Sequence, residues 1–163
     1  MSDFVVLIEI QGKFYFWRNK ISIGMTHLIS IKNRMAIKEY TLLFFRIGVS
    51  LLMLYGHGYP KVQKLFSGTE IQFADPFGLG MKLSFYLVVF AEVICSIFII
   101  LGLKTRMAAS VLVFNMLVAV FVMATNGEVP ELALMYFISY VLILVFGGGK
   151  YSVDFNLNSK KKW

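Results

Sequence analysis

Residues 83–125 read LSFYLVVFAEVICSIFIILGLKTRMAASVLVFNMLVAVFVMAT, and this stretch decides the fold class. It holds two apolar blocks, 83–103 and 107–125, joined by the link Lys104-Thr105-Arg106. The first block carries a single charge, Glu92, and the second carries none. A helix needs about 20 mostly apolar residues to cross a bilayer, and both blocks meet that requirement. So short a link folds them into an antiparallel hairpin. Strands are excluded because the runs are too long and do not alternate. Helices also satisfy their own backbone groups in lipid.

Two more apolar segments flank this hairpin, at about 40–56 and 131–148. Each is slightly short and can borrow neighbouring residues. The expected fold is an all-α membrane protein, a four-transmembrane-helix antiparallel bundle. Composition points the same way. The 163 residues are 58% hydrophobic and 15% charged, against about 45–50% and about 25% in soluble domains. Soluble globular, disordered, fibrous and nucleic-acid-binding classes are thereby excluded. A net charge of +7 would suggest a polyanionic partner in a soluble chain. Here the basic residues lie outside the apolar blocks. The one cysteine, Cys95, excludes an intramolecular disulfide, a CxxC pair and a cysteine metal cage.

Lysine and arginine asymmetry sets the expected orientation. The N-terminal segment has Lys13, Arg18, Lys20, Lys32, Arg34 and Lys38, the link has Lys104 and Arg106, and the tail has Lys150, Lys160, Lys161 and Lys162. These twelve share one side of a four-helix arrangement, against Lys61, Lys64 and Lys82 on the other. Both termini are expected to be cytoplasmic. Residues 1–34 form an N-terminal extension, 35–154 the membrane domain and 155–163 a basic cytoplasmic tail. In the extension, 4–10 and 13–17 around Gln11-Gly12 suit a small hairpin. The other reading is a poorly ordered extension, or a mis-assigned start with Met35 as the true first residue. No basic stretch precedes residues 4–10, so a secretory signal is not expected.

An ionisable group inside a membrane is a functional candidate by default. Arg46 and Glu92 are the two here. At about 1.5 Å per residue, Arg46 lies about 9 Å and Glu92 about 16 Å above the cytoplasmic helix ends, with Asn115 and Tyr140 near 12 Å. One polar layer fed by all four helices is expected, with Arg46 reaching Glu92. Helical spacing places Arg46, Ser50, Met53 and His57 on one face of helix 1. Phe85, Glu92, Ser96 and Ile99 share a face of helix 2, and Ala108, Val111, Asn115, Ala119 and Val122 a face of helix 3. Ser139, Tyr140, Ile143 and Gly147 point together on helix 4. Such a layer fixes helix register, or it also lines a ligand site; both readings stand. His57, Tyr59 and Lys61 suit either interfacial anchoring or the holding of a quinone carbonyl or an anion. The second histidine, His27, lies outside the helices, so bis-histidine haem is not expected, nor is a metal. Nine methionines in so apolar a chain are packing residues.

In order along the chain come Arg46 and Gly48, then His57, Gly58 and Lys61, then Glu92. A Leu-Gly-Leu-x-Thr-Arg link follows at Leu101, Gly102, Leu103, Thr105 and Arg106, then Gly-x-Gly-x-Tyr-Ser-x-Asp at Gly147, Gly149, Tyr151, Ser152 and Asp154. Together these resemble the DoxX family of four-helix membrane proteins, over roughly residues 42–154. Departures are an additional Lys64, a Gly148 where proline is common, and a first 34 residues without counterpart. The resemblance implies a multi-pass protein of the bacterial cytoplasmic (inner) membrane. Some members are subunits of quinone-linked enzymes, such as thiosulfate:quinone oxidoreductase. Others are tied to thiol and oxidative-stress systems, or to resistance against quinones and catechols.

The expected function is therefore a quinone-linked or redox-stress-associated oxidoreductase subunit, acting with a membrane-associated partner that holds the redox centre. No intrinsic cofactor is expected, and quinone is the group this reading would bring. The alternative is a non-enzymatic membrane scaffold or small-solute-binding protein with a structural polar layer. Ligand-binding candidates are Arg46, Ser50, His57, Lys61, Glu92, Asn115 and Tyr140; structural and turn candidates are Gly48, Gly58, Gly102, Arg106, Gly147, Gly149 and Asp154. The expected surroundings are lipid, not nucleic acid.

Overall fold

A computed structural model describes the backbone of residues 31–160 and the side chains of residues 34–157. The expected hairpin at 4–10 and 13–17 lies outside the described residues. The chain divides into two compact units, Met1–Lys38 and Glu39–Trp163, and the description below concerns the second. Every regular element among the described residues is helical.

The first helix, α1, covers Ile31–Met53, widens into a π-helical turn at Leu54–Gly58, and continues as α2, Tyr59–Phe66. After a loop, α3 (Met81–Val89) passes through a second π-helical turn at Phe90–Cys95 into α4 (Ser96–Leu101). Then come α5, Thr105–Thr125, α6, Glu131–Phe146, and α7, Val153–Lys160. The connection that follows the first apolar segment, from His57 onward, is thus helical as far as Phe66. Pro60 falls in the first turn of α2, directly after the first wide turn. The helix runs on from that wide turn, where Tyr59 N donates to Leu54 O, and the widened backbone absorbs the hydrogen bond that Pro60 cannot donate. Asp154 stands in the first turn of α7.

Two helical stretches, Met81–Leu101 and Thr105–Thr125, are long and apolar enough to cross a membrane, while Glu131–Phe146 is apolar but shorter. The outer surface of these helices is apolar too. Phe44, Phe114, Phe121, Met135 and Val145 are all exposed. An apolar patch that continuous is foreign to a soluble monomer and natural against lipid tails.

Inside, one core gathers Met53 from α1, Ala91 and Cys95 from the second wide turn, Ile99 from α4, Ala108, Ala109, Leu112 and Met116 from α5, and Tyr140 and Ile143 from α6. The most extensive contact is between α5 and α6. The expected inward faces of helices 1 and 2 are buried: Arg46, Ser50 and Met53, and Phe85, Glu92, Ser96 and Ile99. The inward face of α5 differs from expectation. Ala108, Ala109, Leu112 and Met116 are buried, whereas Val111 is exposed and Asn115 half-buried. This helix is apolar all round, so its pattern carries little directional signal. Close approach at two small side chains sets its orientation instead.

Candidate functional site

The expected layer separates into clusters at different levels. The first centres on Arg46, which is buried. Its Nη1 donates to the Ile99 carbonyl at 2.8 Å and its Nη2 to the Tyr151 carbonyl at 2.6 Å. Arg46 therefore does not pair with Glu92. The physical reason is direction: a side chain on a helix leans toward the helix N-terminus, so Arg46 reaches away from Glu92. Ile99 lies in the last turn of α4, where its carbonyl also accepts from Gly102 N at 3.1 Å and a cation opposes the negative end of the helix dipole.

The tail seals this end of the molecule. The Asp154 carboxylate accepts hydrogen bonds from Lys104 N at 2.6 Å, Thr105 N at 2.8 Å and Thr105 Oγ1 at 2.8 Å. It caps the N-terminus of α5, the favourable place for an acid. Asp154 N in turn donates to Gly102 O at 2.9 Å. Gly102 has φ +71°, and an added Cβ there would collide with Arg46 Nη1 and Ser152. Lys150 N donates to Glu39 Oε2 at 2.7 Å, and Tyr151 stacks on Tyr40 with centroids 4.9 Å apart. Gly149 closes over Glu39 and Leu42, and Gly147 over Arg106, whose Nη2 donates to Val145 O at 3.2 Å. A Cβ at Gly48 would meet nothing within 4 Å, so packing does not require glycine there.

The second cluster centres on Glu92, in the second wide turn. Lys61 Nζ donates to Glu92 Oε2 at 2.6 Å, with side chains 21% and 5% exposed respectively. π-turns of this kind occur often at functional sites, and here two of them face each other. Gly58 is buried at the contact, where a Cβ would come within 3.1 Å of Val93 Cγ2 and 3.6 Å of Glu92 O. Half-buried His57 lies in the field of both Lys61 and Glu92. Its ring meets Tyr136 edge-on at 5.5 Å, and Tyr136 stacks on Tyr140 at 6.3 Å. A carboxylate, an ammonium and an imidazole are thus assembled at one level. Together they can accept a proton, donate one, and polarise a carbonyl.

The structure brings His57, Lys61 and Glu92 together and places Ser50 and Tyr140 one level further toward Arg46. Asn115 takes no part in either cluster. Tyr136 was not among the expected residues, although it lies one turn from Tyr140 on α6, and that spacing was the available signal. No group of three or more His, Cys, Asp or Glu side chains suited to a metal occurs among the described residues. The DoxX family profile matches residues 41–125, more than half of the 163 residues and all of the chain from Arg46 through α5. The chain belongs to the DoxX family. No curated protein and no solved structure matches it. As a DoxX protein it is a membrane protein in contact with the lipid bilayer. The matched segment contains Arg46, His57, Lys61 and Glu92, and ends before the tail that docks on Arg46.

Beside this DoxX site, residues 67–80 fold against α3 and α5. Asp75 holds the loop, accepting from Leu79 N at 2.9 Å, Gly80 N at 2.7 Å and Ser84 Oγ at 2.8 Å. Phe73 meets Phe85 at 5.3 Å and Phe77 stacks on Phe114 at 6.2 Å. The Ser84 hydrogen bond, with further help from the Gly80, Leu79 and Gly78 amides, holds the Asp75 carboxyl below the usual range. A depressed folded pKa contributes stability above the unfolded value of about 3.9 and loses it as pH falls through the folded value. Asp75→Asn is therefore expected to lower the melting temperature above about pH 4. The gap from wild type should close as pH drops further. A gap independent of pH would mean that the carboxylate charge does not hold the loop.

Proposed function

We propose that this DoxX protein is the membrane subunit of a quinone-linked oxidoreductase, and that its Lys61–Glu92–His57 cluster receives the quinone head group. The observation that carries this reading is the largely buried ion pair of Lys61 and Glu92 at 2.6 Å, set between two facing wide turns. Burying such a pair is costly. A tight polar site in an apolar wall suits a ligand that is apolar except for its oxygens. The donor set fits a quinone. The Lys61 ammonium has further protons to donate to a carbonyl, and the Glu92 carboxylate accepts from a hydroxyl. His57 is placed to hold or pass a proton beside them. A bound quinone supplies two-electron, two-proton chemistry. Beside the pair runs an apolar groove of about 400 Å³ lined by Leu51, Leu54, Tyr55, Tyr59, Val62 and Val93, suited to a hydrocarbon tail. Electrons enter from a partner that holds the redox centre, since a lone cysteine offers no dithiol.

In this reading the helical stretches cross a bacterial inner membrane as a four-helix antiparallel bundle. Both termini are cytoplasmic, and the Arg46 end faces the cytoplasm. In a Cys95→Ser background, Glu128→Cys should react with a membrane-impermeant thiol reagent added to spheroplasts, and Ser159→Cys should not. Reversed labelling would invert the topology. The functional reading is tested by mass spectrometry of an organic extract of the purified protein. Quinone should co-purify with wild type and be lost with Glu92→Gln. One observation favours the alternative of a structural scaffold: Glu92 already has a partner. A stable protein partner with no quinone in the extract would support it.

A further inference from the structure

Between the Arg46 cluster and the Glu92 cluster lie three hydroxyls with no partner. Ser50, Ser96 and Tyr140 are each 0% exposed. Ser50 Oγ, Ser96 Oγ and the Tyr140 hydroxyl lack any hydrogen bond, as does Arg46 Nε. The register of the helices brings the three hydroxyls to one place. Arg46 reaches the Ile99 carbonyl. One turn along α1 from Arg46 is Ser50, and one turn back along α4 from Ile99 is Ser96. In antiparallel helices these two steps go the same way, so Ser50 and Ser96 form the next rung. Tyr140 closes it from α6, its hydroxyl turned toward both serines. Still, no pair among them reaches hydrogen-bond geometry.

An unsatisfied buried hydroxyl is expensive, and three in one spot are more so. The core these hydroxyls belong to is otherwise apolar, with Met53, Cys95, Ile99 and Ile143 among its members. Buried waters occur where polar groups would otherwise be orphaned, and each makes about three hydrogen bonds. Three hydroxyls around one point match that number. We propose that Ser50, Ser96 and Tyr140 form an internal hydration site that binds a water molecule between α1, α4 and α6. The site sits directly after the second wide turn, since Ser96 is the first residue of α4. The water joins the three helices at the level between the tail-locked end and the ion pair. It completes the hydrogen bonds that the three hydroxyls leave unmade.

Two measurements on the full-length protein in lipid nanodiscs test this. The first is radiolytic hydroxyl-radical labelling of wild type, in which radicals form from bound as well as bulk water. Tyr140 has no exposure to bulk solvent, so a dry site leaves it as unlabelled as Phe85. A hydrated site labels it, and Ser96→Ala should reduce that labelling several-fold. The second is the sign of the thermal shift. Removing a dry, orphaned hydroxyl leaves the melting temperature unchanged or raises it. Removing one ligand of a bound water strands the others, so Ser50→Ala, Ser96→Ala and Tyr140→Phe should each lower it by roughly 3–6 °C. Unlabelled Tyr140 in wild type would overturn the proposal whatever the variants do. So would labelled Tyr140 with unchanged or raised melting temperatures in all three variants.

Discussion

Arg46→Met should free the C-terminal tail and destabilise the protein by about 3–5 kcal/mol, the range for breaking a buried charged contact. The Tyr151 carbonyl loses its guanidinium donor, and the Ile99 carbonyl is left with only the Gly102 N–H at 3.1 Å. Each bond from a charged donor is worth about 1.5–3 kcal/mol, so the total is of the right size. The damage should be directional. Asp154 keeps its three bonds to Lys104 and Thr105, so the start of α5 stays capped. Residues around Tyr151 lose their main anchor. Limited proteolysis should therefore cut near Tyr151 much faster in Arg46→Met than in wild type. Arg46→Lys should lie between them, because a single ammonium replaces a two-pronged fork. Equal cutting rates in wild type and Arg46→Met would mean that the guanidinium does not hold the tail.

The second large effect concerns Lys61 and Glu92. Lys61→Met leaves a carboxylate whose side chain is only 5% exposed without its cation, at a cost of about 3–5 kcal/mol. Glu92→Gln should cost less, roughly 1–2 kcal/mol, because the long Lys61 side chain can turn its charge outward. The double variant should cost clearly less than the two single losses added, with a coupling of about 2–3 kcal/mol. By contrast, Arg46→Met and Glu92→Gln should be close to additive. Arg46 bonds at Ile99, seven residues from Glu92, which is about 10 Å along a helix, and sites that far apart rarely couple. Thermal or denaturant unfolding of the single and double variants in one detergent measures both cycles. Coupling between Arg46 and Glu92 in place of coupling between Lys61 and Glu92 would restore the single-layer arrangement that residue heights alone suggest.

That contrast shows what the sequence could disclose. The inward faces of helices 1 and 2 were legible because Arg46, Ser50, Glu92 and Ser96 interrupt otherwise apolar runs. The inward face of α5 was not, since no polar residue marks it and the choice falls to Ala108 and Ala109. Heights along the helices brought Arg46 near Glu92, but height says nothing of lean. Arg46 and Lys61 both lean toward the N-terminal end of their helices, which carries one away from Glu92 and the other onto it. The Lys61 pairing was hidden for a second reason. A Gly-His-Gly-Tyr-Pro run looks like the end of a helix, and a wide turn that lets the helix continue has no local signature. The tail motif, in turn, gave its glycines and acid without saying what they enclose. Only the fold shows that Asp154 caps α5 and that Gly102 makes room for Arg46.

The most direct measurement is titration of a short-chain benzoquinone or naphthoquinone into purified wild type and into Lys61→Met/Glu92→Gln. The double variant is the informative one, because it leaves no charge of the pair unpartnered and its unfolding curve shows directly whether a loss of binding is a loss of fold. Wild type should bind saturably, and the double variant should bind at least about tenfold more weakly, a difference of about 1.4 kcal/mol. Equal affinities, or no binding by wild type, would contradict the assignment of the Lys61–Glu92 pair as a quinone site and leave it a lock between two wide turns.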